Sequence, residues 1–301
     1  MALRALYDIA APAKLNLFLH VIGRRADGYH LLQSLFVLID WCDTLHVERR
    51  DDGKLARHDL TATLPDDDLC LRAARALQTS SGTRLGADIS IDKRVPSGAG
   101  MGGGSSDAAS TLLALNRLWG LSLPRSRLAE IGLALGADVP FFIGGHNAFV
   151  QGVGERLTPV SVPAQWLAVL KPPQSIETSA IFSSPLLVRN TAPLADSAIP
   201  AILAGFLAGK PHGIQSRGVQ NLRNDLQPPA EAECPAVAQA AKVLTERFGN
   251  SRMSGSGSAV FARAGTLEQP VAQIPQDLPP GWVARMCRSL QQHPLAGWAA
   301  D

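Results

Sequence analysis

Residues 13–21, AKLNLFLHV, alternate: Leu15, Leu17, Leu19 and Val21 fall on one side, and Lys14, Asn16, Phe18 and His20 on the other. A period of two is a strand with one face in a core. It sets Lys14 and Asn16 side by side on the opposite, open face. The polar stretch 24–30, RRADGYH, breaks the alternation as a turn, and residues 31–49 resume it as a second strand. Residues 65–78, PDDDLCLRAARALQ, read as a helix whose acidic start suits the positive end of the helix dipole. Strand alternation returns at 87–95. Ala108, Leu112, Leu115 and Trp119 then recur at helical spacing, and 126–136 form a second helix closed by Gly136. Residues 146–160 read as a hairpin about Gly152 and Gly154.

A new unit begins at 162–173, VPAQWLAVLKPP, a buried strand ending in two prolines. This places a domain boundary near residue 160 and divides the chain into 1–160 and 161–301. Residues 189–230 have weak periodicity, and 192–220, read as a lid, carry the least signal. A helix near 235–248, the strand 258–264, and a last strand and helix complete an α+β second half. The segment 249–258, GNSRMSGSGS, is a glycine-serine loop that runs straight into a strand. There is no internal repeat.

Composition narrows the class. With 46% hydrophobic and 18% charged residues, the chain can build a sizeable core and is not globally disordered. A net charge of +2 without a basic, aromatic-interleaved stripe argues against a nucleic-acid partner. Cys42, Cys70, Cys234 and Cys287 form no Cys-x-x-Cys pair, which argues against a thiolate zinc site and suits a reducing cytoplasm. His20, His46, His58, His146, His212 and His293 share no metal-ligand spacing. Asp8, Lys14, Asn16 and His20 interrupt the apolar run near the N-terminus, and no stretch reaches the ~20 apolar residues that span a bilayer. The expectation is a soluble cytoplasmic protein without a membrane partner, a monomer or weak homodimer.

The chemistry concentrates in GAGMGGGSSDAAS, residues 98–110. A free linker does not fit a loop set between a strand and an amphipathic helix. Gly98, Gly100 and Gly103 satisfy the dinucleotide pattern Gly-x-Gly-x-x-Gly. However, Asp92, Lys93 and Arg94 charge the preceding strand, which a central parallel strand does not tolerate, and Pro96 interrupts the approach. A P-loop is excluded because Gly-x-x-x-x-Gly-Lys-Ser/Thr is absent. What remains is a triphosphate cradle of another kind. Glycines bring backbone N–H groups close to phosphate, a helix N-terminus opening near Ser105 adds donors, and Ser105 and Ser106 bring hydroxyls for a cap or a metal.

Residues 96–110, PSGAGMGGGSSDAAS, resemble the phosphate-binding motif of the GHMP kinases, Pro-x-x-x-Gly-Leu-Gly-small-Ser-Ser-Ala, with Met101 in place of leucine. Segments 11–30, 135–145, 152–157, 181–191, 224–228 and 252–262 resemble one branch of that family in the same order. The resemblance implies a ribosomal-protein-like N-terminal α/β domain with a left-handed crossover, a ferredoxin-like C-terminal α+β domain, and an active site in the cleft between them. It implies ATP and Mg²⁺ as cofactors and a small-molecule substrate carrying a cytidine diphosphate group. The γ-phosphoryl would pass to a tertiary hydroxyl of a methylerythritol, in non-mevalonate isoprenoid precursor synthesis.

The same resemblance supplies candidate residues. Lys14 and Asp138 are the catalytic pair, with Asp138 either removing the hydroxyl proton or only orienting the hydroxyl. Lys93, Pro96, Gly98, Ala99, Gly100, Met101, Gly102, Gly103, Gly104, Ser105 and Ser106 hold ATP, Lys93 near the adenine or ribose. Asn16 bonds the substrate. Tyr29 and His30 read the cytosine, Phe182 supplies the opposite ring face, and Thr178 lies nearby. Ser254 to Gly257 resemble a third family motif lining the cleft. The Mg²⁺ ligands are not identified. Asp68 stands where this branch often has asparagine, which removes a donor from any adenine contact. Two alternatives stay open: a kinase of the same fold acting on homoserine, mevalonate or a sugar, and a nucleotide-binding protein without catalysis.

Overall fold

Strands β1 (Ala5–Arg24) and β2 (His30–Arg50) pair antiparallel over most of their length, with Arg24 opposite His30 across the turn. The computed structural model describes residues 3–207, 222–266 and 268–301. Strand β2 has β1 on one edge, and its other edge is shared. Strand β5 (Ala148–Gly152) takes the first part, and β4 (Gly86–Asp92) takes the last. Strand β3 (Leu55–Asp59) lies parallel to β4, and β6 (Arg156–Pro159) closes the other side of this six-stranded sheet.

Helices α1 (Leu69–Ser81), α2 (Gly103–Leu118), α3 (Arg125–Leu133) and α4 (Val139–Gly144) share one core with this sheet, built from residues such as Leu45, Ile89, Leu77, Leu112 and Phe141. Helix α1 starts where Asp68 accepts from the N–H groups of Cys70 and Leu71. Asp68 also pairs with Arg57 at 2.8 Å, so this aspartate is occupied by the fold. Helix α3 ends before Gly136, and the segment after it, given no element from the sequence, forms α4. Pro140 is tolerated there because the first helical N–H groups lack intrahelical acceptors anyway.

The second sheet holds β7 (Trp166–Lys171), β8 (Arg252–Met253), β9 (Val260–Arg263) and β10 (Val283–Arg288) in the order β10-β7-β9-β8, all antiparallel. This is the ferredoxin-like strand order that the resemblance implied. Helices α5 (Thr178–Ser183), α6 (Ile199–Leu207), α7 (Gln227–Glu233) and α8 (Pro235–Phe248) fall between β7 and β8. No helix joins β9 to β10 among the described residues. Of the lid-like segment 192–220, residues 208–220 lie outside the described residues.

Two expectations are corrected. The C-terminal helix is absent: Pro294 and Gly297 leave only a 3-10 turn, Ala296–Trp298. Residues beyond β10 instead return to the first sheet, where Leu290 N donates to Leu38 O and Arg125 binds the carbonyls of Ala296 and Ala299. The face of β1 read as open is also buried: Lys14 is 3% exposed and Asn16 1%. Register shifts after Pro12 and after Asn16 break the strict alternation. Residues of β1 consequently serve three separate apolar clusters, two of them shared with β7 and β9. No helix among the described residues is long and apolar enough to cross a membrane.

Candidate active site

The loop between β4 and α2 crosses the boundary between the two sheets. Its carbonyls are engaged by protein donors. Gly98 O accepts from Ser258 N, Ala99 O from Ala259 N, Gly100 O from the Ser254 hydroxyl, and Met101 O from Lys14 N. The peptide N–H groups of Gly98 through Gly104 make no hydrogen bond to a protein acceptor among the described residues. Such a row of unsatisfied donors, ending at the N-terminus of α2, is an anion cradle. Gly100 has φ +68°, and a Cβ there would lie 2.1 Å from Ser254 O. Only glycine lets the two loops approach so closely. The loop lines a cavity of about 300 Å³ that also includes Lys93, Pro96 and Ser105.

Two of the expected nucleotide contacts are already taken. The Ser106 hydroxyl is fully buried and donates to Pro12 O at 2.7 Å, and Ser106 N donates to Gly102 O. Ser106 therefore fastens α2 to β1 and caps no helix end. The Lys93 ammonium sits between the buried carboxylates of Asp43 and Asp107, 2.6 Å from Asp107. Asp43 also accepts from the N–H groups of Arg94 and Val95 at 2.5 and 2.7 Å, so it shapes the entry to the glycine loop. Burial, with the neighbouring Asp43 charge adding to it, pushes Asp107 up to about 8 against the pull of Lys93. Neither Asp43 nor Asp107 was singled out in the sequence, because nothing local marks residues so far apart as sharing one lysine.

Lys14 and Asp138 meet across the site. Lys14 Nζ is 3.5 Å from Asp138 Oδ2, and the side chains are 4% and 30% exposed. Nζ donates to Asn16 Oδ1 at 2.6 Å and lies 4.5 Å from the centre of the Phe36 ring. Asn16 in turn donates to the Ser34 hydroxyl, which donates to Phe18 O, and Asn16 N donates to the Ser254 hydroxyl. Burial lowers the Lys14 pKa, and Asp138 partly offsets that effect. Asn16 is thus committed to holding Lys14, although its side chain still borders the cavity. A second cavity of about 280 Å³ is lined by Lys14, Asp138, Gly100, Gly102, Ser256 and Phe182.

A third cavity, of about 780 Å³, gathers Tyr29, His30, Thr178 and Phe182. The His30 and Phe182 rings stack with centroids 4.8 Å apart, so the two already form one wall, whereas the Tyr29 side is 65% exposed. Thr178 shares a hydrogen bond with the Ser256 hydroxyl at 2.8 Å, tying α5 to the glycine-serine loop. Arg189 enters the same wall and went unassigned in the sequence, where an arginine in a loop has no periodic signal. The three cavities are neighbours that share lining residues. Gly98, Gly100 and Gly102 border the first two, and Thr178 and Phe182 border the last two.

Comparisons with known proteins agree with this fold. The family described as GHMP kinases N terminal domain matches residues 68–146, and the one described as GHMP kinases C terminal matches 203–276. A 4-diphosphocytidyl-2-C-methyl-D-erythritol kinase of Methylibium petroleiphilum is 64% identical over 99% of this chain and 100% of its own length. One of Cupriavidus necator is 53% identical over 98% and 96%. A solved 4-(cytidine 5'-diphospho)-2C-methyl-D-erythritol kinase superposes with a TM-score of 0.73 at 32% identity, covering 93% of this chain and 98% of that one. A homoserine kinase of Cytophaga hutchinsonii has the same fold, with a TM-score of 0.69 at 17% identity over 96% of this chain and 95% of its own. Both family domains are matched in order and a relative is similar from end to end: the chain belongs to the GHMP kinase family.

Proposed function

We propose that this protein transfers the γ-phosphoryl group of ATP to the tertiary 2-hydroxyl of 4-diphosphocytidyl-2-C-methyl-D-erythritol, giving the 2-phosphate and ADP; relatives named as kinases of that compound support the reading. The observation that carries this reading is the row of three neighbouring cavities. A phosphate cradle lies at one end and an aromatic pocket fit for a base at the other, with an aspartate–lysine pair between them. A kinase for a small alcohol such as homoserine has no use for the aromatic end.

Phosphoryl transfer needs positioning and charge stabilisation more than covalent chemistry from the protein. The 1–160 part supplies the N–H groups of Gly98 to Gly104 for the triphosphate. Asp138 accepts the hydroxyl proton as the alkoxide oxygen forms its bond to the γ-phosphorus, and the bond from that phosphorus to the β–γ bridging oxygen breaks. The proton ends on Asp138 and the electron pair on ADP. Lys14, fixed by Asn16, orients the carboxylate and faces the developing negative charge. Tyr29, His30 and Phe182 hold the cytosine by stacking and edge contacts.

Among the described residues no three His, Cys, Asp or Glu side chains cluster to hold a metal, and Asp43 and Asp107 are already paired with Lys93. The half-buried Ser105 hydroxyl beside the cradle still fits Mg²⁺, which keeps several waters and takes phosphate oxygens as its main ligands. Ser105 would hold it, and the ion would neutralise charge on the phosphates. Free, dispersed cysteines suit a cytoplasmic setting.

The test is ADP release, with ATP and Mg²⁺, from the cytidylated methylerythritol against homoserine, mevalonate and galactose. Turnover confined to the cytidylated substrate is expected. Turnover on another alcohol would keep the family and overturn the substrate.

A further inference from the structure

Among the described residues, Arg189 is the one cation hydrogen-bonded to both members of the stacked wall. Its Nη2 donates to Phe182 O at 2.8 Å and Ser184 O at 2.9 Å, and Nη1 donates to Leu187 O at 3.1 Å. Its Nε donates to His30 Nε2 at 3.2 Å. A guanidinium has five N–H donors and no acceptor, so the imidazole nitrogen it faces must offer a lone pair. The neutral ring then carries its proton on Nδ1. Nδ1 makes no hydrogen bond among the described residues, and the ring lines the large cavity. The charged groups that act on His30 are Arg189 and Arg24, both cations. Burial first, and then these two charges, lower the His30 pKa, so the ring stays neutral at physiological pH.

We propose that Arg189 is a positioning residue that makes His30 a hydrogen-bond donor at Nδ1, and that this donor selects the pyrimidine. Cytosine presents a bare ring nitrogen, N3, that accepts a hydrogen bond. Uracil presents an N–H at the same place and opposes the donor. The proposal deepens the function above and rests on it for the identity of the base. Arg189 touches no reacting atom. It acts through His30, and it also pins the end of α5 that carries Phe182.

The first test uses the full-length ¹⁵N-labelled protein without ligand, with a His30→Gln variant to mark the resonance. Imidazole nitrogen shifts at pH 7.5 are expected to show His30 protonated on Nδ1 and bare on Nε2. A proton on Nε2 in the wild-type protein would overturn the proposal. The second test measures dissociation constants of CDP and UDP for the wild type, Arg189→Met and Arg189→Lys. Losing the fixed donor is expected to reduce the preference for CDP over UDP by about tenfold in Arg189→Met, the size of one good hydrogen bond. Lysine, still a donor, is expected to restore part of it. Turnover should show KM raised more than kcat lowered. An unchanged CDP/UDP ratio in a folded Arg189→Met protein would also overturn the proposal. ATP affinity reports folding, because the glycine loop does not contact Arg189. Should the methionine variant fail to fold, the wild-type tautomer and the lysine variant still decide. A wild type that binds neither nucleotide would count against the proposed function, while the tautomer measurement needs no ligand and stands apart from it.

Discussion

Lys14 Nζ stands 3.5 Å from Asp138 Oδ2, with the lysine almost wholly buried and the carboxylate open to the cavity. Under the proposed function this asymmetry gives the open group to the substrate hydroxyl, and the buried one to positioning and charge. A buried ammonium is costly to desolvate, and the carboxylate that Lys14→Met leaves behind is 30% exposed, so water can solvate it. Lys14→Met is therefore expected to keep its melting temperature within a few degrees while kcat falls by about 100-fold or more. Thermal melts beside steady-state kinetics check this. A large loss of stability with intact kcat would reverse the assignment.

Gly100→Ala tests the contact between the glycine loop and the Ser254–Ser258 loop. The added methyl would meet Ser254 O at 2.1 Å in a backbone conformation, φ +68°, that favours glycine. One of the loops must move. ATP affinity, followed by calorimetry, is expected to weaken by about tenfold or more, as a misaligned donor set loses charge-assisted hydrogen bonds.

Lys93→Met separates scaffolding from nucleotide contact. Removing the shared cation leaves Asp43 and Asp107 buried side by side, which costs about 3–5 kcal/mol. The expected signature is a large fall in the denaturation midpoint, partly recovered in the Lys93→Met/Asp107→Asn double variant. A direct ATP contact would instead raise KM for ATP at unchanged stability.

His293 predicts acid sensitivity. It is buried, its Nδ1 accepts from Leu295 N, and burial, aided by Arg125, depresses its pKa to about 4. The folded pKa lies below the unfolded value, so the unfolded chain binds the extra proton first. The stabilisation from neutral His293 is present above about pH 6.5 and is lost as pH falls toward 4, reaching about 3 kcal/mol at most. Urea midpoints across this range should fall in the wild type and fall less in His293→Gln.

Much of this site could be read from local patterns. Alternation located β1 and β2, and the glycine run located the cradle, because turns and strand faces are properties of near neighbours. The buried state of Lys14 and Asn16 was not legible. It depends on a second sheet, built after residue 160, closing over β1. The same holds for Asp43 and Asp107 around Lys93, and for Arg189 behind His30, each joined by tertiary contact alone. Ser106 was misjudged for a related reason: a serine after a glycine loop looks like a cap, and only the packing of α2 on β1 turns its hydroxyl to Pro12 O. Helix α4 was missed because six residues containing a proline carry too little periodicity.

The central claim is that Asp138 takes the proton of the substrate hydroxyl within this row of cavities. The most direct measurement is the single-turnover rate of Asp138→Asn against wild type on the cytidylated methylerythritol, at saturating ATP and Mg²⁺. The amide keeps the shape but cannot take the proton, so the rate is expected to fall by about 10²- to 10⁴-fold with ATP affinity unchanged. A rate within a few-fold of wild type would contradict the assignment and leave Asp138 as an orienting residue only.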